Sequence, residues 1–180
     1  GLMIDSDDTL TEFDRIFSEE AASKAGVCGL MCRMDNGNGF FHVQQMFKLT
    51  RDAVWQNPIH EYVLSSGPKG LPPAGKLTIK RGRSARHDKD PDRNVRIGRR
   101  FVEADPDNSR ARFYLGRDIL ECEALPLHCR RAEAEGHLRA YLAMTTKFIE
   151  QDRYALLLLV RLLCDSGRGT EAKQMLIKWI

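Results

Sequence analysis

The densest chemistry in this chain lies within its first ten residues. Met3-Ile4-Asp5-Ser6-Asp7-Asp8 passes from apolar side chains into three carboxylates within four positions. Leu2 to Ile4 reads as a short strand driven into a sheet interior, so the carboxylates emerge at the edge where α/β sheets bind ligands. Asp5 and Asp7, two apart, suit a hard divalent cation such as Mg²⁺ or Mn²⁺ held against phosphate oxygens. The plainer alternative is an acidic helix start, with Asp8 capping the first turn. A second group is Trp55-Gln56-Asn57-Pro58-Ile59-His60-Glu61-Tyr62-Val63, which brings an aromatic, an imidazole and a carboxylate into one short segment. Its plain reading is a core Trp followed by a solvated turn pair.

These residues sit in a chain whose charge is unevenly spread. Residues 1–24 carry seven acids against two bases, and residues 80–100 carry nine bases against three acids, although the net charge is only +3. Such asymmetry can focus a field on a cation or an anionic ligand, whereas a net charge this small does not argue for nucleic acid. The basic run is otherwise a solvated loop.

The elements that must position these groups fall into two patterns. In the first half, Thr9 or Thr11 can cap a helix whose apolar positions are Phe13, Ile16, Phe17 and Ala21. Val27 to Met34 and Phe40 to Leu49 read as strands, joined by Asp35-Asn36-Gly37-Asn38-Gly39 with the composition of a hairpin turn. Ser65 to Gly75, with three glycines and three prolines, reads as a loop, and Lys76 to Lys80 as one more strand.

From Asn94 onward the period is helical only. Ala111, Leu115 and Ile119, then Leu138, Tyr141 and Leu142, then Leu156, Leu159 and Leu163, then Ala172, Met175 and Trp179 recur at helical steps. Residues 110–121 resemble residues 153–164 at an offset of 43, and each stretch precedes a second helix, Ala134 to Leu142 and Glu171 to Ile180. Stacked hairpins of this kind resemble tetratricopeptide-like repeats, with Gly167 and Ala172 where small residues permit close helix approach and Glu123 to Arg131 as an extra loop. The fold class is thus α/β followed by all-α.

With 180 residues, 42% of them hydrophobic and 29% charged, the chain has the composition of an ordinary globular protein. Its longest apolar run, Ala155 to Val160, is far short of the roughly 20 residues a membrane span needs. Five cysteines (Cys28, Cys32, Cys122, Cys129 and Cys164) without a C-x-x-C pair suggest buried thiols in a reducing, cytoplasmic setting.

Two enzyme classes place carboxylates at such a strand end. Asp5-Ser6-Asp7-Asp8-Thr9-Leu10 matches the D-x-D-x-T of haloacid-dehalogenase-like phosphatases, with Asp5 as nucleophile and Ser65 or Ser66 posing as the second motif. The late acidic pair of that class is not matched, since Asp88, Asp90 and Asp92 follow a basic loop instead of an apolar strand. The D-x-D also resembles that of nucleotide-sugar-dependent glycosyltransferases. Trp55 to Glu61 resembles the W-x-x-P/V-H-E segment of family 2 glycosyltransferases with a GT-A fold, and Arg93-Asn94-Val95-Arg96 through Asp118 resembles their junction into a tetratricopeptide-like tail.

That resemblance implies a C-terminal portion of a GT-A-like catalytic domain, with a mixed sheet, over residues 1–94 and a helical-hairpin module over 95–180. It implies transfer of a sugar from a nucleotide-sugar donor to a hydroxyl acceptor, with inversion and with Mn²⁺ or Mg²⁺. Asp5 and Asp7 would hold the cation, with His87 as the nearest match for a third ligand. Glu61 would act as general base, His60 would orient the acceptor or Glu61, and Trp55 would form an acceptor wall. Arg81, Arg83 and Arg86 would steady the donor phosphates. In such enzymes the nucleotide-binding strands precede the D-x-D, so a homodimer or a partner chain is expected to cover the sheet edge. A non-enzymatic module that binds a partner through residues 95–180 is the competing expectation.

Overall fold

A computed structural model of the chain describes residues 2, 8–23, 29–37, 39–47, 54–64, 69–70, 77–82, 89–145 and 149–179. The chain forms two compact units. One comprises Gly1–Asn57 and Glu61–Lys89, the other Pro58–His60 and Asp90–Ile180. The architecture is mixed α/β with a helical C-terminal part.

The first unit is built on a five-stranded mixed sheet of β1 (Thr9–Phe13), β2 (Gly29–Asp35), β3 (Phe40–Phe47), β6 (Lys69–Gly70) and β7 (Leu77–Lys80), with the path β1-β7-β2-β3 and β6 also on β2. β2 shows the period of two expected of a strand: Leu30, Cys32 and Met34 are buried while Met31, Arg33 and Asp35 are less so. Its antiparallel partner β3 follows a tight turn in which Gly37 takes φ +83° and donates its N–H to Asp35 Oδ1 at 2.8 Å. The residue types Asp-Asn-Gly allow this because Gly carries no Cβ to clash in the left-handed region. β7 runs parallel to β2 and antiparallel to β1, and its Leu77 and Ile79 join Cys32 and Met34 in the core. Burying each of these two aliphatic side chains contributes about 2 kcal/mol.

The expected helix cap at Thr9 or Thr11 is corrected here, because Thr9 to Phe13 is strand β1. Long-range pairing to β7 decides it: Thr9 faces Lys80, Phe13 faces Leu77, and at the bulge between them Thr11 Oγ1 donates to the Thr78 carbonyl at 3.2 Å. The helix α1 starts only at Arg15 (Arg15–Ser23), and Ile16, expected on its apolar face, is 72% exposed. Two short strands not foreseen, β4 (Val54–Gln56) and β5 (Tyr62–Leu64), pair antiparallel as a separate sheet. The proposed strand Leu2 to Ile4 lies outside the described residues except for Leu2, which packs against the sheet core.

The second unit contains α2 (Arg93–Ala104), α3 (Ser109–Glu121), α4 (Leu127–Ala143), α5 (Ile149–Asp165) and α6 (Gly169–Trp179), each packed on the next in sequence. Asn108 caps α3 by accepting the Ala111 N–H at 3.0 Å. α3 is central. Ala111, Leu115 and Ile119 are buried with Val95 and Val102 of α2, while Phe113 is buried with Leu138, Tyr141 and Leu159. The apolar positions expected of α5 (Leu156, Leu159 and Leu163) are buried, whereas Trp179 of α6 is 40% exposed.

Small residues set the helix spacing, though not all where expected. Ala172 is 2% exposed within the core. Gly116 is the close-approach glycine: a Cβ there would lie 3.1 and 3.2 Å from Leu138 Cγ and Cδ2. Gly167 does something else. It takes φ +75°, donates to the Cys164 carbonyl at 3.0 Å, and lets Arg168 donate to the Leu163 carbonyl at 2.8 Å, which closes the end of α5 in a left-handed cap. The expected loop over Glu123 to Arg131 is shorter, since α4 already begins at Leu127. The cysteine expectation is corrected in part: Cys32, Cys122, Cys129 and Cys164 are free thiols, but only Cys32 and Cys122 are buried. Among the described residues no helix is long and apolar enough to cross a membrane.

Charged side chains tie the helices at the surface. Arg99 donates to both carboxylate oxygens of Glu133 at 2.7 Å and holds that acid below its usual range. Burial pushes Glu135 up, but hydrogen bonds from Arg139 and Arg168 outweigh it and the net direction is down. Arg168 and then Arg139 lower Glu171 in the same way, closing a four-residue ring of ion pairs between α4 and the start of α6. Burial lowers His137, reinforced by Arg112 and Arg99 against the opposing pull of Glu133.

Two outcomes follow from this packing. Gly116→Ala gains about 1 kcal/mol of helix propensity but must displace the buried Leu138, which costs about 1–3 kcal/mol; a urea midpoint below that of the parent is expected. Gly136→Ala on the open face of α4, with nothing within 4 Å of the new Cβ, should instead raise it. Acid should lower the stability of the helical unit in two steps. Glu133, Glu135, Glu171 and His137 all have depressed folded values, so their contribution is present above the unfolded value and lost as pH falls from there through the folded one. The His137 share is lost below about pH 6.5 and the Glu133, Glu135 and Glu171 share below about pH 4.3. Urea titrations followed by far-UV circular dichroism should show the first stage flattened in His137→Gln and the second reduced in Glu135→Gln.

Candidate functional site

Within the sheet unit, the residues that flank the acidic motif and the basic loop meet at one end of the sheet. Asp8 follows Asp7 directly, and its Oδ1 accepts the Gly82 N–H at 2.9 Å. The next residue, Thr9, pairs with Lys80, and Arg81 donates its N–H to the Asp35 carbonyl at 2.7 Å. Antiparallel β1–β7 pairing and parallel β7–β2 pairing therefore bring the start of β1, the end of β7 and the β2–β3 turn together. A carboxylate accepting a backbone N–H in this way is a charge-assisted hydrogen bond that ties the start of β1 to the end of β7. Just inside, Thr78 Oγ1 donates to Glu12 Oε2 at 2.5 Å, which satisfies a hydroxyl on a buried strand.

Asp5, Asp7, Arg83, Arg86 and His87 lie outside the described residues, as do Ser65, Ser66 and Asp88. Arg81 is described and exposed. Trp55, on β4 opposite Val63, is 47% exposed and so is not a core residue. Glu61 is exposed and belongs to the same unit. Among the described residues no group of three or more His, Cys, Asp or Glu is arranged to hold a metal ion.

His60 belongs to the helical unit, and its surroundings there are unusually specific. Ile59 is 7% exposed beside Gly98 of α2, where a Cβ would meet Ile59 Cδ1 at 3.7 Å. Asn57 and His60 both adopt left-handed backbone, at φ +68° and +53°, a region that Asn and His enter more readily than most residues. The His60 ring stacks on Tyr114 with centroids 4.2 Å apart and planes 18° from parallel. Its Nε2 lies 2.6 Å from Asp118 Oδ2. Because a carboxylate accepts and does not donate, Nε2 carries the proton and donates it.

Arg117 completes the group from the same helix. It donates through Nη2 to Asp118 Oδ1 at 2.8 Å, and the same nitrogen lies 3.1 and 3.4 Å from the two ring nitrogens of His60. Arg110 donates from Nη2 to the His60 carbonyl at 3.2 Å, and the Arg110 and Arg117 guanidinium carbons lie 4.7 and 4.6 Å from the Tyr114 ring centroid. Asp118 is only 7% exposed, and its charge is tolerated because both oxygens are engaged.

This arrangement fixes the imidazole in one orientation and commits its Nε2 proton to Asp118, which suits positioning of the segment more than proton transfer. Arg110, Tyr114, Arg117 and Asp118 had no role assigned from sequence. The available signal was a carboxylate at 118 inside an otherwise apolar stripe, between Leu115 and Ile119, with Arg110, Tyr114 and Arg117 at helical spacing before it.

A scan against protein-family models finds no match to the chain, and a search of curated proteins finds no significant relative.

Removing the Asp118 carboxylate should leave Arg117 and His60 without their shared acceptor. Asp118→Ala is expected to cost about 2–4 kcal/mol by denaturant titration. Asp118→Asn, which keeps one acceptor oxygen, should cost about half as much. Equal and negligible effects in the two variants would show that the group does not hold the segment.

Proposed function

We propose that the chain is part of a glycosyltransferase that moves a sugar from a nucleotide-sugar donor to a hydroxyl acceptor. The observation that carries the reading is the Asp8–Gly82 hydrogen bond at 2.9 Å. It joins the side chain of Asp8, next in sequence to Asp7, to the backbone of Gly82, next in sequence to Arg83, so the two motifs invoked here adjoin one described contact along the chain. In this reading Asp5 and Asp7 hold Mn²⁺ or Mg²⁺, with His87 a further ligand. Their carboxylate oxygens are the donor type a hard cation prefers. The cation, when bound, offsets charge on the donor diphosphate.

Arg81, Arg83 and Arg86 stabilise the same charge as the leaving group departs. Glu61 accepts the proton of the acceptor hydroxyl as its oxygen forms a bond to the anomeric carbon. The bond from that carbon to the diphosphate oxygen breaks, and one displacement inverts the configuration. Trp55, half-exposed beside this segment in sequence, offers an aromatic face to the acceptor. The helical unit fits two tetratricopeptide-like hairpins, α3–α4 and α5–α6, in which Gly116 and Ala172 allow close packing.

Mn²⁺-dependent donor hydrolysis or transfer, assayed across a panel of nucleotide sugars, tests the reading. Asp7→Ala should lower it by at least about 100-fold and chelation should abolish it. Glu61→Gln should lower transfer by about 10²–10⁴-fold while leaving donor affinity unchanged. Activity indifferent to both substitutions defeats the assignment. Metal-dependent phosphate release from an aryl phosphate, lost in Asp5→Asn, would replace it with the phosphatase reading.

A further inference from the structure

The helical unit has a second feature, independent of the sugar-transfer reading. A cavity of about 320 Å³ opens between the end of α3, the start of α4 and one face of α5. Leu120, Leu127, Leu158 and Leu162 give it apolar walls, and Tyr154 also lines it. Leu127 and Tyr154 are 53% and 44% exposed, so the cavity is a groove open to solvent and not a closed chamber.

The charges around it are not balanced. Two acids and three arginines line the groove. Both acids face cations already: Glu121 lies 3.8 Å from Arg117, and Asp165 lies 4.0 Å from Arg161. Arg130 donates to a neutral group, the Leu120 carbonyl, at 3.1 Å. No carboxylate pairs with Arg130 or Arg131 among the described residues. Both sit in the opening turns of α4, a 17-residue helix whose start has no side-chain cap and no acid in its first turn. Positive side chains at the positive end of a helix repel it, and an arriving anion relieves both.

We infer that this groove binds an acidic peptide segment that carries one bulky apolar side chain between its carboxylates. The apolar side chain fills the leucine-lined floor, where its burial supplies most of the affinity. The flanking carboxylates meet Arg130 and Arg131 through charge-assisted hydrogen bonds, which fix direction and register. An open groove suits an extended or helical peptide, whereas a free amphiphile would gain most from an enclosed site.

The test is fluorescence anisotropy with the full chain and a labelled short peptide of Glu and Asp around one central Phe. Saturable binding in the range of about 1–100 µM is expected, weakening as salt rises. Arg131→Glu should weaken it at least tenfold. Leu127→Asp should do the same while leaving the melting temperature at or above that of the parent, because an acid suits the first turn of a helix. A peptide with Lys in place of the acids, and one with Ala in place of Phe, should each bind at least tenfold more weakly. The inference is overturned if the acidic peptide does not bind up to about 1 mM, if the Lys peptide binds equally well, if Arg131→Glu has no effect, or if dodecanoate binds where the peptide does not.

Discussion

A single buried carboxylate sets the terms for much of the helical unit. Asp118 sits on a helix that contributes to both apolar clusters of the unit, with Leu115 and Ile119 on either side of it in sequence. A charge placed there is costly unless each oxygen has a donor. Arg117 satisfies one oxygen from within the helix, and His60 satisfies the other from a segment 58 residues away. The three residues Pro58 to His60 therefore belong with the helices and not with the strands that flank them. Ile59 adds an apolar anchor to the polar one, so hydrophobic burial and electrostatics act on the same short stretch.

Helix α3 carries this role because it is buried on nearly every side. Its two core faces meet different neighbours, and only glycine at 116 allows α4 to come as close as it does. Around this apolar centre the ion pairs lie at the surface and link helices that are distant in sequence, as Arg99 does with Glu133 and Arg168 with Glu135. Exposed pairs of this kind add little individually. Their effect is to fix which helix neighbours which, and to make that choice sensitive to acid.

The sequence was most informative where local rules decide the outcome. The β2–β3 hairpin follows from Asp35-Asn36-Gly37, because turn chemistry is local and Gly37 needs its left-handed backbone. The helices after Asn94 follow from their period, and most of the positions expected to be buried are buried. Thr9 to Phe13 is ambiguous in sequence because threonines serve equally as caps and as strand residues, and only a partner strand about 70 residues later decides between them. Gly167 serves a change of backbone hand and not helix contact, two tasks that composition alone does not distinguish. His60 was legible as a residue of interest, but its partners were not. Nothing near it in sequence announces Asp118 or Tyr114, and the pairing exists only after α3 has formed.

The interrupted course of the helical unit has a practical consequence for anyone dissecting this chain. An excised piece running from residue 90 onward would look complete by helix count, yet it would lack Ile59 and the imidazole that answers Asp118. Its charge would then face solvent or an empty hollow, and its behaviour in isolation would understate the ruggedness of the parent. A faithful dissection has to carry the Pro58–His60 strip along, whether by linker grafting or by supplying it as a separate peptide in trans.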